Sequence, residues 1–185
     1  MGWIIFIGGF ILLFVAIIWS TYNKFVLAEN QVDEAFSMID VQLKKRFDLI
    51  PNLVEMVKGY NQHEADVLME IVSKRGDIPE ATAPKAALDG SITARLQSFR
   101  MQVENYPELK ANTQFLKLMD GLSLVEEELA MARRYYNGTV RDYHNKLQVF
   151  PNVLFAGMFA MKKKSFYEIT SSEAERPEIQ LTDNE

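Results

Sequence analysis

The run from Trp3 to Trp19 reads Trp-Ile-Ile-Phe-Ile-Gly-Gly-Phe-Ile-Leu-Leu-Phe-Val-Ala-Ile-Ile-Trp and contains no charge. No other stretch of the chain restricts its fold as strongly. As a helix rising ~1.5 Å per residue it reaches ~26 Å, close to the ~30 Å hydrocarbon core of a bilayer. A cleaved signal peptide is the competing reading, but it calls for a basic leading segment and a small-x-small cleavage site. Neither is present. Trp3 and Trp19 suit the two interfacial belts, and Gly8 and Gly9 permit close helix contact, although no small-xxx-small pattern follows from them. The expectation is an uncleaved anchor over residues 1–21 that crosses a cell (inner) membrane once, with the lipid bilayer as partner. No Lys or Arg precedes the run and Lys24 follows it, which favours a cytoplasmic body over a periplasmic or extracellular one.

The remaining chain is expected to form one helical domain over residues 22–169 and an acidic, disordered tail over 170–185. The formal net charge is −5, and most of it lies in that tail. A near-neutral body carries no electrostatic footprint for nucleic acid. The absence of cysteine removes disulfides, thiol nucleophiles, lipidated cysteines and Cys-type zinc sites together.

Apolar residues recur in steps of three and four along four segments. The first carries Phe25, Val32, Phe36, Ile39 and Leu43 in a narrow stripe of coiled-coil type, and nothing between Trp19 and Phe25 breaks a helix continuing from the anchor. The second carries Leu53, Met56, Val57, Tyr60, Val67, Leu68 and Ile71, with Gly59 in its interior. Between them, Pro51 disfavours helix at Ile50 and lacks an N–H, so it belongs in a first turn. Lys44, Lys45 and Arg46 suit the end of one helix and Asp48 the start of the next. These signals predict a helical hairpin turning at residues 48–51. After a loop over Gly76–Lys85, a third segment carries Leu88, Ile92, Leu96, Phe99 and Val103 and stops at Tyr106-Pro107. The fourth and longest carries Phe115, Leu118, Leu122, Val125, Leu129, Ala132, Tyr136, Val140, Tyr143 and Leu147. The predicted fold class is all-α: an antiparallel four-helix bundle preceded by a single N-terminal transmembrane helix.

Phe150-Pro151-Asn152 repeats the chemistry of Ile50-Pro51-Asn52, either as an internal echo or as common turn chemistry. The apolar run Val153–Met161, closed by Lys162, Lys163 and Lys164, is too short to span; it suits core packing, a subunit contact or an anionic lipid surface. Among the polar residues beside core positions, Asn30, Asp40, Asn61, Asn137 and Asn145 are candidates for fixing helix register, with Asp40 and Arg46 as a possible network.

No catalytic constellation emerges. His63-Glu64 opens like a zinc-protease helix, but position 67 is Val, so the pair reads as an exposed helix face. Glu126-Glu127-Glu128 lacks the Glu-x-x-His partners that a di-iron bundle needs and reads as a solvated face. No metal or cofactor is expected, and the chain does not read as an enzyme.

Several stretches together resemble the LemA family. They are Asp40-Val41-Gln42-Leu43, Arg46, Asp48-Leu49-Ile50-Pro51-Asn52-Leu53-Val54, Val57-Lys58-Gly59-Tyr60, His63-Glu64, Glu104 to Asn112 with Pro107 inside it, Ala132-Arg133-Arg134-Tyr135-Tyr136-Asn137 and Phe150-Pro151-Asn152. The resemblance implies a bacterial single-pass membrane protein with a cytoplasmic or periplasmic helical bundle, a relationship to a magnetosome membrane protein and no established enzymatic activity. It also singles out Asp40, Arg46, Asp48, Pro51, Asn52, Gly59, Glu64, Pro107, Arg133, Asn137, Pro151 and Asn152 as motif residues of structural importance. The functional expectation is a membrane-anchored scaffold that self-associates as a homo-oligomer. The alternative is an accessory or regulatory partner of another membrane protein, such as a peptidase.

Overall fold

The structure, a computed structural model, describes residues 1–60 and 62–169; Asn61 and the acidic tail 170–185 lie outside the described residues. It is all-helical, with no strand among the described residues. Among the described residues six α-helices follow in order: α1 Gly2–Lys58, α2 Gln62–Ser73, α3 Thr82–Val103, α4 Pro107–Ala111, α5 Thr113–Gln148 and α6 Asn152–Met158, with a 3-10 turn over Lys74–Asp77.

The turn expected at residues 48–51 is absent. Helix α1 continues through Pro51 to Lys58, and the chain breaks at Gly59 and Tyr60 instead. An interior proline forfeits a backbone hydrogen bond and crowds the preceding turn. What offsets that loss is the buried stripe: Phe47, Ile50, Leu53, Val54 and Val57 are all enclosed on either side of the proline. Gly59 therefore sits at the helix end, where its low helix propensity favours termination, and not inside a second helix. Pro107 behaves as expected, opening α4 just past the end of α3. Asn112 caps α5, its Oδ1 accepting from the backbone N–H groups of Gln114 at 2.9 Å and Phe115 at 3.3 Å.

The chain divides into two compact units. The first holds Met1–Leu49 and Met119–Tyr167, that is, most of α1, most of α5, α6 and the segment after it. Its core is a seam between two helices. Phe25, Ala28, Val32, Ala35, Ile39, Leu43 and Phe47 from α1 meet Leu122, Val125, Leu129, Ala132, Tyr136, Val140, Tyr143 and Leu147 from α5, all buried. Both rows advance by alternating threes and fours over most of their length, the spacing that keeps one narrow face of each helix turned to the other. The helices run antiparallel: Phe36 stacks on Tyr136, Lys45 pairs with Glu128, and Leu49 lies against Gly121.

The second unit holds the described residues of Ile50–Leu118, with Glu168 and Ile169. Here Leu53, Val54 and Val57 from the end of α1, Ala65, Leu68 and Ile71 from α2, Ala86, Ile92, Leu96, Phe99 and Val103 from α3, Leu109 and Phe115 are buried. Glu70 of α2 pairs with Arg95 of α3 at 2.5 Å. This core also encloses Glu64, Lys85 and Asp89.

Candidate functional site

The N-terminal part of α1 is long and apolar enough to cross a membrane, and its most apolar window has none of its residues buried. Trp3, Gly8, Gly9 and Trp19 are all exposed, and a side chain added at either glycine would meet nothing within 4 Å. Further along the same unit, α1 and α5 enclose an open groove of about 420 Å³ lined by Met38, Val41, Gln42, Glu128, Met131, Ala132 and Tyr135. Met38 (42%), Val41 (53%), Met131 (54%) and Tyr135 (50%) stay largely exposed although they are the most apolar members of that lining. Gln42 holds its Oε1 buried without a hydrogen-bond partner among the described residues. Leu27 of α1 and Leu124 of α5 are exposed as well.

An ion pair lies near this groove. The guanidinium of Arg46 is fully enclosed, donating from Nε to Glu126 Oε1 at 2.6 Å, with Nη2 2.5 Å from the same oxygen in an ion pair. Lys45 reaches Glu128 at 3.1 Å. The acidic run read from sequence as a solvated face is thus half engaged: Glu126 and Glu128 face α1 lysine and arginine, while Glu127 remains exposed. Asp40 and Asp48 are exposed, and Arg133 is half-buried on α5.

The other motif residues fall into separate places. In the second unit, Asn52 borders a shallow groove with Glu55, Met56, Gln114, Lys117 and Leu118. Pro51 and Gly59 are helix-shaping positions on α1. His63 is exposed as expected, but Glu64 beside it is buried, with the side-chain amide of Gln102 against its carboxylate. Pro151 and Asn152 stand after α5, where Asn152 Nδ2 donates to the Lys146 carbonyl oxygen at 3.1 Å. Pro51 lies within a helix and Pro151 after one, so the two Pro-Asn pairs are not structural repeats.

Asn137 does something that its sequence position does not announce. After α6 the chain runs back along α5 as an extended strap, and Asn137 binds it like a piece of backbone. Its Oδ1 accepts from the Tyr167 N–H at 2.8 Å and its Nδ2 donates to the Tyr167 carbonyl at 3.0 Å. Tyr136 Oη donates to the Ser165 carbonyl at 2.8 Å, Tyr143 Oη donates to the Lys162 carbonyl at 3.1 Å, and His144 Nε2 lies 3.0 Å from the Lys164 carbonyl. The strap is also held to α1, since Lys164 Nζ reaches Glu29 at 2.9 Å and Asp33 at 3.1 Å. Burial alone disfavours the Lys164 ammonium, but hydrogen bonds and charge from Glu29 and Asp33 outweigh it and raise its pKa above the ordinary lysine value. Burial, reinforced by the Glu29 charge, raises the Tyr143 phenol. Asn30 and Asn145, read as candidates for register control, are exposed.

Among the described residues, no three His, Asp or Glu side chains gather in a way that could hold a metal ion. The features brought together are an apolar helix, an apolar groove and a strap pinned by polar side chains.

Comparison with known proteins matches the chain to a family. The model of the LemA family matches residues 35–181. Protein LemA of Metamycoplasma hominis is 23% identical over 94% of this chain and 82% of its own length. Magnetosome proteins MamQ 2 and MamQ 1 of Paramagnetospirillum magneticum are each 21% identical, over 84% of this chain and 67% of their own length.

Proposed function

We propose, from the premise that this chain belongs to the LemA family, that it is a non-catalytic scaffold held in a cell membrane by Trp3–Trp19, with copies associating side by side. The single observation that carries the proposal is the groove of Met38, Val41, Met131 and Tyr135, which leaves four large side chains about half exposed side by side on α1 and α5. Covering such a patch is favourable by roughly 25 cal/mol per Å² of apolar surface removed from water. A second copy would be concentrated in the membrane plane by its own anchor. The positive-inside rule, resting on Lys24, favours a cytoplasmic body.

Light scattering on the full chain extracted in mild detergent tests the reading. The wild type should carry the protein mass of two or more chains, and the double variant Val41→Glu, Met131→Glu should fall to one chain with unchanged helical circular dichroism. A wild type of single-chain mass would remove the self-association part of the proposal.

A further inference from the structure

The run from Val149 to Met161 contains no charged residue, and Asn152 is its one side chain with strong hydrogen-bonding groups. Most of it does not pack into a core. Phe150 is 80% exposed, Leu154 65%, Met158 60% and Val153 47%, while no residue of α6 is buried. A seven-residue helix with apolar groups on its outward side is a poor surface for water. Its inward side is as informative. The Phe155 ring lies 6.5 Å from that of Phe14, and the Phe159 ring lies 5.1 Å from that of Tyr22 and 6.4 Å from that of Phe25. Phe14 is within the apolar run, about 7.5 Å along the helix axis from Trp19 toward the N-terminus.

We infer that α6 and its flanks are a second membrane-contacting element, a short apolar wedge seated in the same leaflet as the C-terminal end of the anchor, with lipid acyl chains as its partner. The inference rests on the reading of Trp3–Trp19 as a bilayer-spanning helix. If Trp19 marks the interface, a ring beside Phe14 is below it, and the outward faces of Phe150, Leu154 and Met158 meet lipid. The charges fall where a bilayer would put them. Lys162 and Lys163 follow the wedge directly and are exposed, placed to reach headgroup phosphates, and Lys164 is drawn away to Glu29 and Asp33. Both ends of the wedge are fixed on the protein, by Asn152 at the Lys146 carbonyl and by the Lys164 clamp. A bilayer, unlike a second copy, is adjacent to α6 wherever the anchor is inserted.

The absence of cysteine makes the test clean. Single variants Leu12→Cys, Arg141→Cys, Leu154→Cys and Met158→Cys of the full chain, each at an exposed position, are labelled with a nitroxide and reconstituted into nanodiscs of mixed phosphatidylcholine and phosphatidylglycerol. Collision with oxygen, which concentrates in lipid, is compared with collision with a water-soluble nickel chelate. Labels at Leu154 and Met158 should resemble the anchor label at Leu12, with oxygen favoured, and the Arg141 label should show the reverse. Leu154 and Met158 labels that follow Arg141, or that neither agent reaches, would overturn the inference, the first by placing α6 in water and the second by placing it against protein. If the Leu12 label itself follows Arg141, the anchor reading fails and the wedge falls with it.

Discussion

In the first unit the buried residues of α1 and α5 keep a heptad-like rhythm for some twenty-five residues each, and the one large charged group inside, Arg46, has its carboxylate partner on the facing helix. In the second unit the helices are shorter, the chain is punctuated by Gly59, a 3-10 turn and Pro107, and Glu64, Lys85 and Asp89 are enclosed in the core. The contrast separates two ways of fixing a helical arrangement. A long repetitive seam can slip by a heptad at little cost in apolar contact, so a single ion pair at one level is a means of choosing the register. Short helices with irregular ends have no repeat along which to slip, and capping residues and enclosed polar groups locate each element separately.

The sharpest attack on that distinction is to remove the register pair. Arg46→Ala leaves Glu126 without its partner and opens a large void in the seam; a loss of about 3–5 kcal/mol is expected in urea melts of the detergent-solubilised chain. The double change Arg46→Met, Glu126→Gln should recover much of that stability while allowing slippage, visible as a changed distance between spin labels placed on α1 and α5. Recovery with an unchanged distance would show that the apolar rows alone set the register. Pro51→Ala tests whether α1 truly continues from one unit into the other's sequence: within a helix the change should stabilise the chain by up to about 3 kcal/mol. A destabilisation would mean that the proline opens a helix, as the sequence first suggests.

Next in size is Asn137→Ala, which removes both hydrogen bonds to Tyr167 and should cost about 1–3 kcal/mol, read as faster proteolysis of the strap. Asn137→Asp keeps the acceptor but loses the donor and should lie between. Arg95→Ala in the second unit breaks an exposed pair with Glu70 and should cost about 0.2–1 kcal/mol, small beside the effect at Arg46. The smallest effect is alkaline. Lys164 and Tyr143 both have pKa values raised in the folded chain, so what each contributes is fully present below its unfolded value and is lost as pH rises through the folded one. The strap should therefore hold through neutral pH and loosen above pH ~10, detectable as proteolysis of the strap that begins only there. Loosening near neutrality would show that another group controls it.

Much of this arrangement can be read along the chain. The apolar run, the rows from Phe25 to Leu43 and from Leu122 to Leu147, and the stop at Tyr106-Pro107 are local patterns whose physics acts over a few residues. The position of the first break is harder, because the local cost at Pro51 competes with a buried stripe that extends beyond it to Val57. The pairing of Arg46 with Glu126 spans eighty positions and that of Asn137 with Tyr167 spans thirty, and no periodicity encodes either. Glu64 was illegible for a related reason: its exposure depends on where Gln102 comes to lie. Composition leaves the run after Asn152 between core, subunit and lipid, since it states only that the run avoids water and not which apolar surroundings it finds.

One property of α1 has a mechanical consequence. From Gly2 to Leu49 the helix has no interruption, so the apolar portion and the groove-bearing portion share a single angular phase. Each residue advances that phase by about 100°, and seven residues return it to within about 20°. Val41 and Leu13, four heptads apart, are therefore offset by roughly 80° in azimuth on a straight helix and by less on one that supercoils. On the proposed reading, a groove that receives a neighbour would thus dictate which flank of the apolar portion that neighbour's own apolar portion meets. Inserting one alanine after Thr21 should rotate the two portions out of phase and weaken association, and inserting seven should largely restore it, although the second insertion disturbs the sequence far more than the first.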